Sequence, residues 1–334
     1  MSYVNINNIV QKERRNVRQR KGIFDYYGEK GMAMEYFIQQ LINGISVGSI
    51  YALIALGYTM VYGIIKLINF AHGDVFMVGS FIGLFSARYL ASVGLPPVIV
   101  LIISLVISMT ISALLGISIE RLAYKPLRKA SRIAVLITAI GVSFFLEYSG
   151  VFVLGPQAKG FPEILNKKQY QLFGSSVQVD SNQIMILATT VILMIILQYI
   201  VHRTKIGKAM RAVSYDMEAA RLMGINVDRT ISATFAIGSA LAAAAGVIFG
   251  MTYNAVDPMM GVLPGLKAFV AAVLGGIGSV PGALVGGLLL GTVETEISSL
   301  GYSSWRDGVA FAVLILILIF KPSGLFGKNV REKV

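Results

Sequence analysis

Long uncharged apolar runs separated by short polar loops dominate this chain. Phe37–Ile65, Tyr89–Ile119, Ser181–Val201, Thr230–Val256 and Ala268–Val293 contain no Asp, Glu, Lys or Arg. Each exceeds the roughly 20 residues that a helix needs to cross the hydrocarbon core. Val75–Ala87, Ile133–Leu146 and Gly308–Phe320 are shorter uncharged runs that their neighbours complete. The pattern predicts an all-α polytopic membrane bundle of about eight to nine segments, some broken or re-entrant. They fall near 36–64, 72–91, 97–119, 133–154, 182–201, 230–253, 265–277, 281–299 and 304–320.

Composition agrees. Apolar residues make up 55% of the chain and charged residues 14%, against about 25% charged in soluble domains. The formal charge of +12 does not point to nucleic acid. The basic residues sit in short loops beside apolar segments, where they set orientation. Loops 120–132 and 203–229 and the C-terminus carry them and are expected inside; loop 155–182 is expected outside. Three segments precede the first basic loop, which puts residue 34 outside unless an early segment is re-entrant.

Residues 1–33 differ from the rest. They hold seven Lys/Arg and few apolar residues. They read either as a basic, lipid-touching tail or as an untranslated stretch with Met34 as the start. The second reading is preferred, because a tail with this many positive charges resists translocation. The expected organisation is a basic extension over 1–33, a transmembrane domain over 34–328 and a cytoplasmic tail over 329–334.

Two polar or glycine-rich stretches interrupt apolar ones, one in each half: Asn69-Phe70-Ala71-His72-Gly73-Asp74 and Gly275-Gly276-Ile277-Gly278-Ser279-Val280-Pro281-Gly282. Broken backbone at membrane depth survives only inside protein or along a watery cavity, and paired interruptions suggest a substrate path. Asn69, His72, Asp74, Gly275, Gly276 and Gly278 are therefore candidate pathway residues. Two readings of His72 and Asp74 stand side by side: pathway lining, or an interfacial turn that reaches water. Glu147 is expected to hydrogen-bond a neighbouring helix. The pairs Gly44/Gly48, Gly246/Gly250, Gly282/Gly286 and Gly287/Gly291 have the spacing of close helix packing in lipid.

Loop 203–229 carries Glu218-Ala219-Ala220 and then Gly224. Alanines admit a close partner surface, the glutamate offers one polar anchor, and the glycine turns the chain away. This is a candidate docking knob. Other chemistry is unsupported. Neither Lys208 nor Lys328 has the flanking residues of a Walker A loop. There is no cysteine, and only two histidines, too few for a histidine-rich metal site. No nucleophile–base arrangement or carboxylate pair stands out, so neither an enzyme nor a cofactor is expected.

Four stretches then carry a family resemblance: 43–53, beginning Asn43-Gly44-Ile45-Ser46; Tyr62-Gly63 through Asp74; Gly207-Lys208-Ala209 through Gly224-Ile225-Asn226; and Ala271-Ala272-Val273-Leu274 through Ser279. Over about residues 34–327 the chain resembles the LivH-type permease subunits of branched-chain amino acid ABC importers. The resemblance implies a multi-pass protein of the bacterial inner membrane. It implies a second, LivM-like permease, two cytoplasmic ABC ATPases that hydrolyse the ATP, and an external amino-acid-binding protein. It makes Glu218, Ala219, Ala220 and Gly224 the ATPase-coupling residues, and Leu, Ile and Val the substrates. A secondary transporter or channel for small polar solutes is the alternative. That alternative needs ion-coupling charges in the membrane and leaves the docking knob without a role.

Overall fold

The computed structural model describes residues 30–128, 130–164, 168–171 and 177–327. The expected tail 329–334 and most of the N-terminal extension lie outside them. Residues 30–33 continue the first helix.

The expected helices form. They are α1 (Lys30–Ile65), α2 (His72–Ser92), α3 (Pro97–Ile119), α4 (Arg132–Leu154), α5 (Ser181–Arg203), α6 (Lys205–Tyr215), α7 (Met217–Leu222), α8 (Val227–Tyr253), α9 (Val262–Gly275), α10 (Val280–Ser299) and α11 (Arg306–Phe320). A π-turn at Glu120–Tyr124 and a 3-10 turn at Lys125–Leu127 follow α3. Eight of the described helices are long and apolar enough to cross a membrane; α9 is shorter. Caps define the polar ends. Ser131, Asn226 and Ser279 accept from backbone N–H groups at the starts of α4, α8 and α10, and Asp180 and Gln183 form a capping box on α5. Two short antiparallel strand pairs, β1 (Lys159–Gly160) with β4 (Ala255–Val256) and β2 (Gln169–Gln171) with β3 (Gln178–Asp180), cover one end.

Helices α1 and α8 form the core: 89% and 72% of their apolar windows are buried, against 17% for α4 and 6% for α11. Their glycine spacings are close contacts. A Cβ on Gly291 would lie 2.3 Å from Gly48 Cα, and one on Gly246 2.3 Å from the Phe76 carbonyl oxygen. Backbones meet where any side chain would collide, which replaces the hydrophobic drive missing in lipid.

The helix ends sort onto two faces. At one, Tyr36 donates to the Ser299 carbonyl (3.3 Å), Gln39 accepts from Gln178 N (2.8 Å), Gln183 donates to Asn43 (2.8 Å) and Arg88 donates to the Gly160 carbonyl (2.7 Å). The start of α1 therefore shares a face with loop 155–180. The opposite face gathers the π-turn, α6, α7 and the stretch after α11, with most of the described basic residues. It is the cytoplasmic face, and α1 starts on the outer one, as segment alternation requires.

Candidate functional site

The cytoplasmic loop folds into α6 and α7. Asp216 caps α7 by accepting from Glu218 N (2.8 Å) and Ala219 N (2.9 Å). The helix ends on Gly224, whose φ is +80°. Gly224 N donates to the Arg221 carbonyl and Ile225 N to the Ala220 carbonyl, both at 3.0 Å, the paired bonds of a Schellman end. Glu218 and Ala219 are exposed, whereas Ala220 is buried. Ala220 therefore seats the helix on the body and does not face a partner. Sequence reading missed Tyr215, Leu222 and Met223, which are 94%, 89% and 82% exposed. Large apolar groups this bare on a cytoplasmic loop, outside the lipid span, mark a contact surface; their presence in a charged loop was the available signal.

The two interrupted stretches do not line one path within this chain. Asn69 is buried and accepts from the Tyr124 hydroxyl (2.9 Å). His72 is buried over Gly57, its Nε2 3.3 Å from the Ile54 carbonyl and its ring 4.6 Å from that of Tyr58. His72 thus neither lines a pathway nor reaches water. It is a packed pin, because a glycine opposite leaves a slot the size of an imidazole. Gly275, Gly276 and Gly278 lie at the cytoplasmic end of α9. There Leu325 N donates to the Leu274 carbonyl and Phe326 N to the Gly275 carbonyl, both at 2.9 Å. A C-terminal turn thus closes the broken helix and satisfies its last carbonyls. No spacing rule could reveal a partner some fifty residues downstream.

Of the six, Asp74 lines a cavity, of about 230 Å³, together with Tyr58, Phe70, Ser143, Phe144 and Glu147. Ser143 donates to Asp74. Glu147 lines the cavity and forms no hydrogen bond to a neighbouring helix among the described residues, contrary to the sequence expectation. The floor is Gly73 against Gly261: a Cβ on Gly73 would sit 2.5 Å from the Gly261 carbonyl oxygen.

Two ionic clusters were not anticipated. Near the outer face, Glu294 Oε2 accepts from Lys267 Nζ (3.1 Å), Arg306 Nε (2.8 Å) and the Tyr51 hydroxyl (3.0 Å), and Lys267 also pairs with Asp307 (2.6 Å). Lys267 and Glu294 bound the uncharged run 268–293, and so escaped notice as intramembrane charges. At the cytoplasmic face, Arg128 bridges buried Glu120 and Asp228, Lys125 adds to Asp228 (2.8 Å), and Ser232 donates to Glu120 (2.6 Å). This brace ties the π-turn to the start of α8, next to loop 203–229.

A bundle built on broken helices, a cavity lined by carboxylates and aromatic rings, and an exposed knob on the basic face has the parts of a solute permease. The chain belongs to the family described as branched-chain amino acid transport system / permease component, whose model matches residues 40–318. Among its relatives is the high-affinity branched-chain amino acid transport system permease protein BraD of Pseudomonas aeruginosa, 45% identical over 90% of this chain and 98% of the relative. The corresponding LivH of Escherichia coli K12 is 43% identical over 90% of this chain and 98% of the relative. The probable LivH of Methanocaldococcus jannaschii is 27% identical over 87% of this chain and 93% of the relative.

Proposed function

We propose that this chain is the membrane-spanning permease subunit of an ATP-driven importer of leucine, isoleucine and valine. The observation that supports this most is the identity to BraD and LivH along nearly the whole of both chains. In this reading an external binding protein delivers the amino acid, a LivM-like permease completes the pathway, and two ATPases sit on the cytoplasmic face. The α7 knob, with Glu218 and Ala219 exposed beside Tyr215, Leu222 and Met223, docks into an ATPase groove, and Gly224 sets its angle. Closure of the ATPases then moves the bundle between outward and inward openings. ATP hydrolysis belongs to the partners.

The test is uptake of radiolabelled leucine in a strain lacking its own branched-chain transport, with this chain and its genomic neighbours expressed. Uptake that needs both this chain and the ATPases is expected; uptake independent of them would return the secondary-transporter alternative. Removing residues 1–33 is expected to leave uptake nearly unchanged, since the family match begins at residue 40. A large loss of uptake at normal membrane levels would assign that extension a role.

Gly224→Val probes the knob. Nothing lies within 4 Å of a Cβ at Gly224, so packing is not at stake. The positive φ is, and a β-branched residue there costs on the order of 1–3 kcal/mol. The expected result is lost uptake and weaker co-purification of the ATPases at normal membrane levels. Glu218→Ala is expected to be milder. Unchanged ATPase retention in Gly224→Val removes the docking role from this loop.

A further inference from the structure

The cavity beside Asp74 has a charge pattern that the proposed function leaves unused. Two carboxylates reach it from different helices, Asp74 from α2 and Glu147 from α4. Both are more than nine-tenths buried, at 2% and 7% exposure. Asp74 has the Ser143 hydroxyl, and Glu147 has no hydrogen-bond or ion-pair partner among the described residues. No Lys or Arg lines the cavity. Paired carboxylates in a low-dielectric site are costly unless one keeps a proton or a cation joins them. Two acidic groups fall short of the six or more oxygens that calcium takes. The aromatic walls of Tyr58, Phe70 and Phe144 suit an organic cation with an apolar body.

A second feature lies opposite the carboxylates. Helices α2 and α9 both begin at this cavity, where Gly73 meets Gly261. Neither start carries a side-chain cap. At these starts His72 N and Val262 N donate to the Asn69 and Met259 carbonyls, and Pro264 has no N–H. That leaves the Gly73 and Gly261 N–H groups at the cavity without an acceptor among the described residues, at helix ends that carry a partial positive charge. Broken helices in transporters use such ends to hold anionic groups of a substrate. The cavity thus joins cation-seeking carboxylates, anion-seeking helix starts and an apolar wall.

We propose that this cavity is a substrate station for a zwitterionic apolar amino acid. Asp74 and Glu147 take its ammonium group, the starts of α2 and α9 take its carboxylate, and the aromatic wall takes its side chain. The assignment rests on the importer reading and adds where, within this chain, the amino acid pauses and what recognises it. Glu147 becomes a binding residue, and the glycine floor becomes the means by which two helix starts approach one ligand.

The test exploits the lack of cysteine in the chain. Leu266→Cys puts one thiol at the cavity edge. In the importer purified with its permease and ATPase partners, the rate of modification by neutral methyl methanethiosulfonate is followed on this chain by mass spectrometry. L-Leucine is expected to slow the reaction. 3-Methylbutylamine and 4-methylpentanoate, each carrying one charge, are expected to require at least about tenfold higher concentration, the cost of one lost charged hydrogen bond. Asp74→Asn and Glu147→Gln are expected to abolish protection, and Glu147→Asp to keep part of it. Retained co-purification of the partners establishes that each variant is folded. Absence of leucine protection in the Cys variant, or equal protection after Asp74→Asn and Glu147→Gln, overturns the site. Leucine uptake by the same importer in vesicles separates the two readings. Uptake without protection removes this station and leaves the importer standing, whereas no ATP-dependent uptake removes the importer itself.

Discussion

Gly276→Leu is expected to deplete the protein from the membrane, and Gly278→Leu to leave its level nearer normal. Both glycines have positive φ, +101° and +93°, so a leucine at either carries backbone strain on the order of 1–3 kcal/mol. Their surroundings differ. A Cβ on Gly276 would lie 2.4 Å from Gly327 N, and the reciprocal glycine, Gly324, meets Gly276 Cα at the same distance. A Cβ on Gly278 meets only Gly63 Cα, at 3.9 Å. Leucine at Gly276 must therefore push away the C-terminal turn and break the bonds from Leu325 N and Phe326 N to the last carbonyls of α9. Each buried carbonyl left without a donor costs about 1–3 kcal/mol. Added to the strain, that is a large part of a typical folding stability of roughly 5–15 kcal/mol. Immunoblots of isolated membranes, read beside uptake, check the result. Equal levels for the two variants would show that the C-terminal turn does not hold the broken helix.

Lys267→Met is expected to be about as damaging, by a different route. Lys267 and Glu294 are almost fully buried, and Lys267 joins Glu294 on α10 to Asp307 at the start of α11. The cluster holds two cations and two carboxylates, with the Tyr51 hydroxyl from α1 as a further donor to Glu294. Removing Lys267 takes one of two cations from buried Glu294, which keeps Arg306 and the Tyr51 hydroxyl, and leaves half-exposed Asp307 without its cation, a loss of at most the roughly 3–5 kcal/mol of a broken buried pair. Removing Lys267 and Glu294 together takes out one charge of each sign. The double variant Lys267→Met/Glu294→Gln is therefore expected to be less destabilised than the sum of the two single ones. Thermal unfolding of the purified proteins measures all three. Strict additivity would mean that the pair does not act as a unit, and that α9 is held by packing alone.

Both clusters bear on how the molecule moves. The outer one fastens α9, α10, α11 and α1 to one another. The cytoplasmic one fastens the π-turn to α8 through Arg128 and Asp228, and Tyr124 of that turn reaches Asn69 at the broken start of α2. Loop 203–229 runs directly into α8, so polar contacts connect it to the helix that carries Asp74.

Much of this was legible in the residues. Uncharged runs give membrane helices because lipid offers no partner to a backbone N–H or to a charge, so length and composition decide. The basic loops give the sidedness, and the small-residue spacings give the close helix pairs, since both are local properties. The end of α7 was also local: a glycine after a short helix forms its Schellman end from its own neighbours. The tertiary structure decided what local pattern cannot. His72 and Asp74 stand two residues apart in one polar hexad, yet one is a packed pin and the other a cavity wall, because Gly57 faces the first and Ser143 the second. Gly275 and Gly276 became a closed helix end because residues 323–327 return to cover them. Ala220 turned inward while Ala219 stayed exposed. Lys267 and Glu294 became buried partners because their helices cross there. In each case the outcome depends on which distant backbone arrives opposite a side chain, and the sequence order of the residues does not encode that meeting in any local pattern.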